Sequence, residues 1–193
     1  MKGFFSFVSY LFHPLFMPLV GAMIILTQID IYRLLIPSPL LLFIALVLVV
    51  LTIFLPVFAL LGMRMAGIIS SLQLPDRNER RYPLLITVIL FTASWWIIKS
   101  VNLVQSVNYI FIAGLFTIML LMILNHFIKL SIHMAALGGL TGLLTAYATL
   151  PGFDATYFLT GVLLASGLVA SSRLYLHAHS VKEVIIGYTV GFL

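Results

Sequence analysis

Three short stretches of this chain hold the side chains best suited to chemistry on a charged substrate. The first is Asp76-Arg77-Asn78-Glu79-Arg80-Arg81-Tyr82-Pro83 and the second is Lys129-Leu130-Ser131-Ile132-His133. The third is Ser172-Arg173, followed after five residues by His179 and after three more by Glu183. Glu183 lies four residues beyond His179, so on a helix both side chains share one face. A carboxylate bonded to one imidazole nitrogen fixes the tautomer and frees the other nitrogen as nucleophile or base. Arg173 offers a planar fork of donors matched to phosphate oxygens. Ser131 is placed to cap a helix whose first N–H groups and dipole favour an anion. His133, in the first turn of that helix, could pass a proton to a leaving group. Arg77, Arg80 and Arg81 would add positive charge around the same anion. Two histidines, an orienting acid and several guanidiniums describe a site for phosphoryl transfer by in-line attack.

The elements that must position these groups follow from composition. Of 193 residues, 63% are hydrophobic and 8% charged, against roughly 25% charged in a soluble domain. A chain this short cannot hide so much apolar side chain in one core, and lipid is the solvent that resolves the mismatch. Apolar stretches of about 20 residues recur, the length at which a helix crosses ~30 Å of hydrocarbon. Leu40–Leu61 shows none of the alternation of a membrane barrel strand. The expectation is an all-α bundle of six to seven transmembrane helices forming a single integral membrane domain over residues 1–193. Spans are expected near Phe4–Ile29, Pro39–Leu61, Pro83–Ile98, Val104–Leu124, Met134–Leu150 and Tyr157–Ala170, with a shorter last helix from about His179 to Leu193. The apolar run after Met1-Lys2 continues without an early small-residue cleavage signal, which reads as a retained span. Pro14 and Pro18 are expected to kink it, with His13 beside them as an interfacial histidine.

The connections differ in character. Gln28 to Arg33, Lys99 to Asn108 and Pro151 to Asp154 are short and nearly uncharged, whereas the three reactive stretches follow the second, fourth and sixth spans. Counting crossings puts all three at the face that holds the N-terminus. Within the spans, Ala135/Gly139, Gly138/Gly142 and Gly187/Gly191 are small residues four apart, as are several around Ala165 to Ala170, which lets helix backbones approach closely in lipid. Lys2, Arg64 and Lys182 read as topology charges, Asp76 and Glu79 as partners of the nearby arginines, and His126 and His177 as bystanders. Cysteine is absent, which excludes thiolate chemistry and Cys-based metal sites. Asp76 and Glu79 are too isolated to suggest a metal site, and no cofactor is expected. The net charge of +5 speaks to topology and anionic headgroups rather than to nucleic acid.

With these residues in view, the sequence resembles the type 2 phosphatidic acid phosphatase (PAP2) superfamily. The third family motif reads S-R-x5-H-x3-D, and Ser172, Arg173, His179 and Glu183 match it in register with Glu in place of Asp. The second reads P-S-G-H, to which Ser131-Ile132-His133 is similar without the Pro and Gly. The first reads K-x6-R-P; Arg81-Tyr82-Pro83 is similar after a one-residue insertion, with Leu74 where the lysine belongs. The resemblance runs from about Leu74 to Leu193. It implies a PAP2-like helical core and a metal-independent membrane lipid phosphatase. His179 would be the nucleophile forming a phosphohistidine, Glu183 its orienting partner and His133 the general acid. Arg173, Ser131, Ser172 and an arginine of the first stretch would hold phosphate, with Arg77 or Arg80 standing in for the lysine.

The expected partners are the bilayer and a phosphorylated lipid, such as phosphatidate, phosphatidylglycerol phosphate, a polyprenyl diphosphate or a phosphorylated glycolipid. The expected location is the cell (inner) membrane. Positive-inside counting would turn the reactive face to the cytoplasm, whereas the resemblance implies the outer side. Several of these arginines serve a phosphate site, so the second orientation is favoured. The alternative is a catalytically inactive lipid-binding or transport protein on the same bundle, and turnover sensitive to vanadate separates the two.

Overall fold

The structure, a computed structural model, describes residues 1–74, 76–100 and 105–193, and the described residues are helical with no strand. α1 (Lys2–Leu11) and α2 (Met17–Gln28) together make the first apolar rod, Lys2–Gln28. The rod is broken where Pro14 opens a 3-10 turn, Pro14–Phe16, because proline cannot donate to the preceding turn and its ring crowds the carbonyl four residues back. Pro18 does not kink anything: it sits in the first turn of α2, where a missing N–H costs nothing. The short α3 (Asp30–Leu35) opens with Asp30 and closes on Arg33, charges that suit the two ends of a helix dipole.

α4 (Ser38–Leu48) runs through a π-helical stretch, Val49–Phe54, into α5 (Leu55–Met65). Pro56 accounts for the π stretch, since its ring forces the carbonyl of Thr52 out of the α-helical ladder. The Thr52 hydroxyl turns back to donate to the Leu48 carbonyl at 2.8 Å. α6 (Arg81–Lys99), α7 (Gln105–Leu124), α8 (Ile132–Tyr147), α9 (Thr156–Tyr175) and α10 (Val181–Phe192) complete the chain. The expected start of the fourth span at Val104 lies outside the described residues. Among the described residues, five helices are long and apolar enough to cross a membrane: Lys2–Gln28, Ser38–Met65, Arg81–Lys99, Val107–Leu124 and Thr156–Tyr175. This is consistent with a multi-pass membrane protein.

α8 lies inside the bundle, and α10 lies against it with its outer face, including Val181 and Ile185, exposed. α8 buries Met134, Ala135, Leu137, Gly138, Leu140, Thr141 and Leu144 and packs between α2, α9 and α10. Its contact with α10 is backbone on backbone. A Cβ at Gly138 would overlap the Tyr188 carbonyl, one at Gly142 the Phe192 carbonyl, and one at Gly191 the Ala135 carbonyl. A Cβ at Gly187 would stand 2.8 Å from the Ser131 carbonyl oxygen. The small-residue spacing therefore decides how deeply α10 seats. Because no flexible side-chain tip absorbs the overlap, Gly191→Val should cost at least ~3 kcal/mol, the upper end of ordinary overpacking. Thermal unfolding of detergent-purified protein should register it as a clear drop in Tm, and an unchanged Tm would refute the close seating.

The chain crossings bring the three reactive stretches together at one face, as counted from the sequence. Arg80 Nη1 donates to the Leu130 carbonyl at 2.9 Å, and Asn125 Nδ2 donates to the Arg77 carbonyl at 2.8 Å. The backbone N–H of Ser131 donates to the Glu183 carbonyl at 3.2 Å. At the opposite face the 151–154 connection meets the start of α3, where Gly152, at φ 76, leaves room for Asp30.

Candidate active site

The third stretch is shaped by two helix ends. α9 runs on to Tyr175, beyond the expected Ala170, so Ser172 and Arg173 lie inside its last turn. It stops in a Schellman turn: Ala178 N–H donates to the Arg173 carbonyl at 3.1 Å and His177 N–H to the Leu174 carbonyl at 3.0 Å. His177 takes the left-handed φ of 52 that this motif requires, a position usually filled by Gly or Asn. α10 then starts at Val181, two residues later than expected, with Ser180 as N-cap. The Ser180 hydroxyl accepts from Glu183 N–H at 3.4 Å, and Glu183 Oε2 accepts from Ser180 N–H at 3.1 Å, a full capping box.

This corrects the way His179 and Glu183 meet. His179 is not on the helix face; it precedes the cap, and Glu183 reaches back to it as part of the capping box. His179 Nδ1 lies 3.0 Å from Glu183 Oε2 and 3.1 Å from the Lys129 carbonyl oxygen. Both partners only accept, so Nδ1 carries the hydrogen and Nε2 keeps a free lone pair. Burial, reinforced by Arg80 and Arg173, holds this imidazole below its ordinary 6.5 although the bond to Glu183 pulls upward.

Two guanidiniums stand nearby without a counter-ion. Arg80 is buried at 5% exposure, its Nε donating to the Leu74 carbonyl at 3.2 Å and its Nη1 to Leu130. Leu74 adopts φ 50 to present that carbonyl, a conformation a branched residue rarely takes and one concentrated at functional sites. Burial and neighbouring Arg173 lower Arg80 to about 10, which leaves it charged at neutral pH. Arg173 Nη1 donates to Ser9 Oγ at 3.4 Å, and its Nε is buried without a hydrogen-bond partner. Among the described residues neither guanidinium has a carboxylate partner. Lys129 adds a further cation, held below its usual value by burial and by Arg80.

Ser131 is the N-cap residue of α8 in extended conformation, but its hydroxyl makes no cap bond. Its Oγ is buried without a partner. Leaving a buried polar atom unpaired costs about 1–3 kcal/mol. A hydroxyl and a guanidinium N–H left over beside two cations form a natural cradle for an anion. His133, in the first turn of α8, donates Nε2–H to the Ser9 carbonyl at 3.2 Å, which leaves Nδ1 for proton transfer. The His13 ring lies 5.3 Å from that of His133, and its Nδ1 accepts from Leu15 N–H at 3.4 Å.

Of the residues the sequence singled out, His179, Glu183, His133, Arg173, Ser131 and Arg80 converge. Arg77 and Arg81 are exposed at the rim, Arg77 donating to the Phe127 carbonyl at 3.4 Å and Arg81 to Asn78 Oδ1 at 3.3 Å. Ser172 points elsewhere: fully buried, its hydroxyl donates to the Phe5 carbonyl at 2.6 Å and lies 2.7 Å from Ser9 Oγ, joining α9 to α1. Asp76 and Glu79 do not pair with the arginines. Asp76 Oδ1 accepts from Asn78 N–H at 2.9 Å, a local turn, and both Glu79 oxygens accept from Ser70, each at 2.9 Å. Among the described residues no three His, Asp or Glu side chains gather as a metal site would need.

Three contributors were missed by sequence reasoning. Ser180 was visible as Ser-x-x-Glu at residues 180–183, the signature of a capping box. His13 was seen but set aside. Ser9 had no local signal, since its partners lie more than 120 residues away. Comparisons with known protein families, with curated proteins and with solved structures return no match to this chain.

Proposed function

We propose that the chain is a PAP2-like integral membrane phosphatase that hydrolyses a phosphomonoester or diphosphate of a membrane lipid through a phosphohistidine at His179. The observation that carries the reading is the His179 tautomer. Nδ1–H is spent on Glu183 and the Lys129 carbonyl, and the free Nε2 lies near two guanidiniums without counter-ions. The match of Ser172, Arg173, His179 and Glu183 to the third family motif adds support.

In this mechanism Arg173, Arg80 and the Ser131 hydroxyl hold the phosphoryl oxygens. Nε2 of His179 bonds to phosphorus as the bond from phosphorus to the lipid oxygen breaks, and His133, which takes up a proton once the anionic phosphate offsets the neighbouring Arg173, passes it from Nδ1 to that oxygen. Glu183 stabilises the positive charge that develops on His179. Neutral His133 then takes a proton from water, which displaces His179 and releases inorganic phosphate. Guanidiniums aimed at charge that grows in the transition state supply most of the rate gain in phosphoryl transfer. Ser172 and Ser9 act as positioning residues for Arg173 and His133.

The acid limb of kcat/KM should fall below pH 6.5, because attack needs neutral His179 and burial holds its proton affinity down. Stability carries the same sign. Below the unfolded value of 6.5 the unfolded chain takes a proton on His179 that the folded chain does not, so stability falls as pH drops through that window. An acid limb at or above pH 7 would contradict the assignment.

The test of the function is phosphate release by detergent-purified protein from phosphatidate, phosphatidylglycerol phosphate, a polyprenyl diphosphate and a phosphorylated glycolipid. Turnover of at least one, blocked by vanadate, is expected. Binding of these lipids without turnover of any would select the lipid-binding alternative.

A further inference from the structure

The stripe of α8 that carries His133 continues through Leu137, Leu140 and Leu144, positions that recur on one helical face. These three leucines line an apolar groove of about 380 Å³ walled by the broken first span and by α9. On α8 the groove begins at Leu137, one helical turn from His133. Phe12 on its rim is the residue before His13, whose ring packs on His133. On the other wall, Gly161 and Ala165 belong to the same helix as Arg173. From His133 to Leu144 the axis rises ~16 Å, about half of the ~30 Å hydrocarbon thickness. Gly161 is helical, and a Cβ built there meets no atom within 4 Å. The fold therefore does not require a glycine at this position, and the missing side chain leaves open space.

An apolar trough that starts one helical turn from His133, beside a guanidinium with no carboxylate partner among the described residues, matches a molecule with the same two parts: an anionic head and a hydrocarbon chain. We propose that this groove holds one hydrocarbon chain of a phosphate-headed lipid, with the phosphate at Arg173 and His179 and the chain lying along α8 towards Leu144. The headgroup placement rests on the phosphatase reading, whereas the chain site rests on the groove. Ordinary bilayer lipid would also wet such a surface, but it would do so without regard to headgroup.

The test has two arms on the purified, full-length protein. In the first, kcat/KM is measured for alkyl phosphate monoesters of increasing chain length. For the wild type it should climb with length and level off near leaflet depth, because each buried methylene adds a favourable increment. Gly161→Leu should lose about 10-fold on long chains, a few methylenes' worth, and under about 2-fold on the shortest. Equal loss at all lengths, or none, would overturn the groove while leaving the phosphatase reading intact.

In the second arm, a phosphate-headed lipid with a photoreactive group at the chain terminus is crosslinked to the wild-type protein. Adducts should map to α2, α8 or α9 residues lining the groove. Excess phosphate-headed lipid should compete them away, and a neutral-headed lipid should not. Adducts elsewhere, or equal competition by the neutral lipid, would overturn the proposal. Headgroup-selective labelling of the groove in a protein that turns over no ester would uphold the groove and remove the phosphatase reading.

Discussion

His179→Ala should abolish phosphate release from whichever lipid phosphate the wild-type protein hydrolyses, with a loss of at least ~10⁴-fold in kcat, the scale on which a removed nucleophile is felt. The size follows from the geometry around the imidazole. One nitrogen is tied to Glu183 Oε2 and the Lys129 carbonyl, so the ring is aimed, and nothing else in the cluster combines a free lone pair with a carboxylate to steady the charge that develops. His133 cannot take over, because its Nε2 is committed to the Ser9 carbonyl and no carboxylate supports it. The variant should stay folded, since the capping box between Ser180 and Glu183 does not need the imidazole. Unchanged Tm and elution from a sizing column would establish that the loss is chemical. Residual activity within about 100-fold of wild type would be too much for a missing nucleophile.

The second large effect is expected at Arg173, and its sign on stability differs from its sign on activity. Arg173→Met should cost about 10²–10³-fold in kcat/KM, the range found when a donor aimed at transition-state charge is removed. Arg173→Lys should recover little, because an ammonium cannot reproduce the planar two-donor grip on phosphate. Thermal stability should hold steady or rise in Arg173→Met. The wild-type side chain leaves Nε buried and unpartnered, has no carboxylate, and holds Ser9 Oγ at a long 3.4 Å. Removing a group that is poorly satisfied in the resting protein relieves a cost, the usual exchange of stability for function at a working site. A marked fall in Tm with activity retained would instead make Arg173 a structural residue that joins α9 to α1.

Much of this arrangement was legible because it is local or periodic. The helical rods follow from apolar run length, and the Pro14 break from the chemistry of proline. The gathering of the reactive stretches follows from counting crossings. The 172–183 stretch is readable because its spacing is set by two helix ends that lie next to each other in sequence. Even so, the helix-face argument for His179 and Glu183 described the wrong geometry for a contact that does form. The Schellman turn and the Ser180 cap shorten α10, and glutamate meets histidine by reaching back over the cap.

Long-range packing was not legible. Ser9 joins Ser172, Arg173 and His133 only because α1 lies against α9 and its Ser9 carbonyl meets His133 at the start of α8, and a lone serine on an apolar helix gives no sign of that. Ser172 matched a motif position, yet its hydroxyl is drawn to the Phe5 carbonyl by the same packing. Among the arginines of the first stretch, type and spacing could not choose. Burial does: Arg80 is enclosed by the Leu74 and Leu130 carbonyls, while Arg77 and Arg81 lie at the rim. Glu79 illustrates the same limit, since its partner is Ser70 across a turn rather than the arginine beside it.

The central claim is that phosphorus is transferred to Nε2 of His179, and the most direct measurement is to catch it there. Purified protein would be mixed with a phosphorus-labelled lipid phosphate, quenched in alkali within milliseconds to seconds, digested and mapped by mass spectrometry. The prediction is a transient phosphohistidine, stable to base and labile to acid, on the peptide that contains His179, formed no more slowly than phosphate appears and absent from His179→Ala. Phosphate release with no adduct at any quench time, or an adduct on another residue that persists in His179→Ala, would contradict the account.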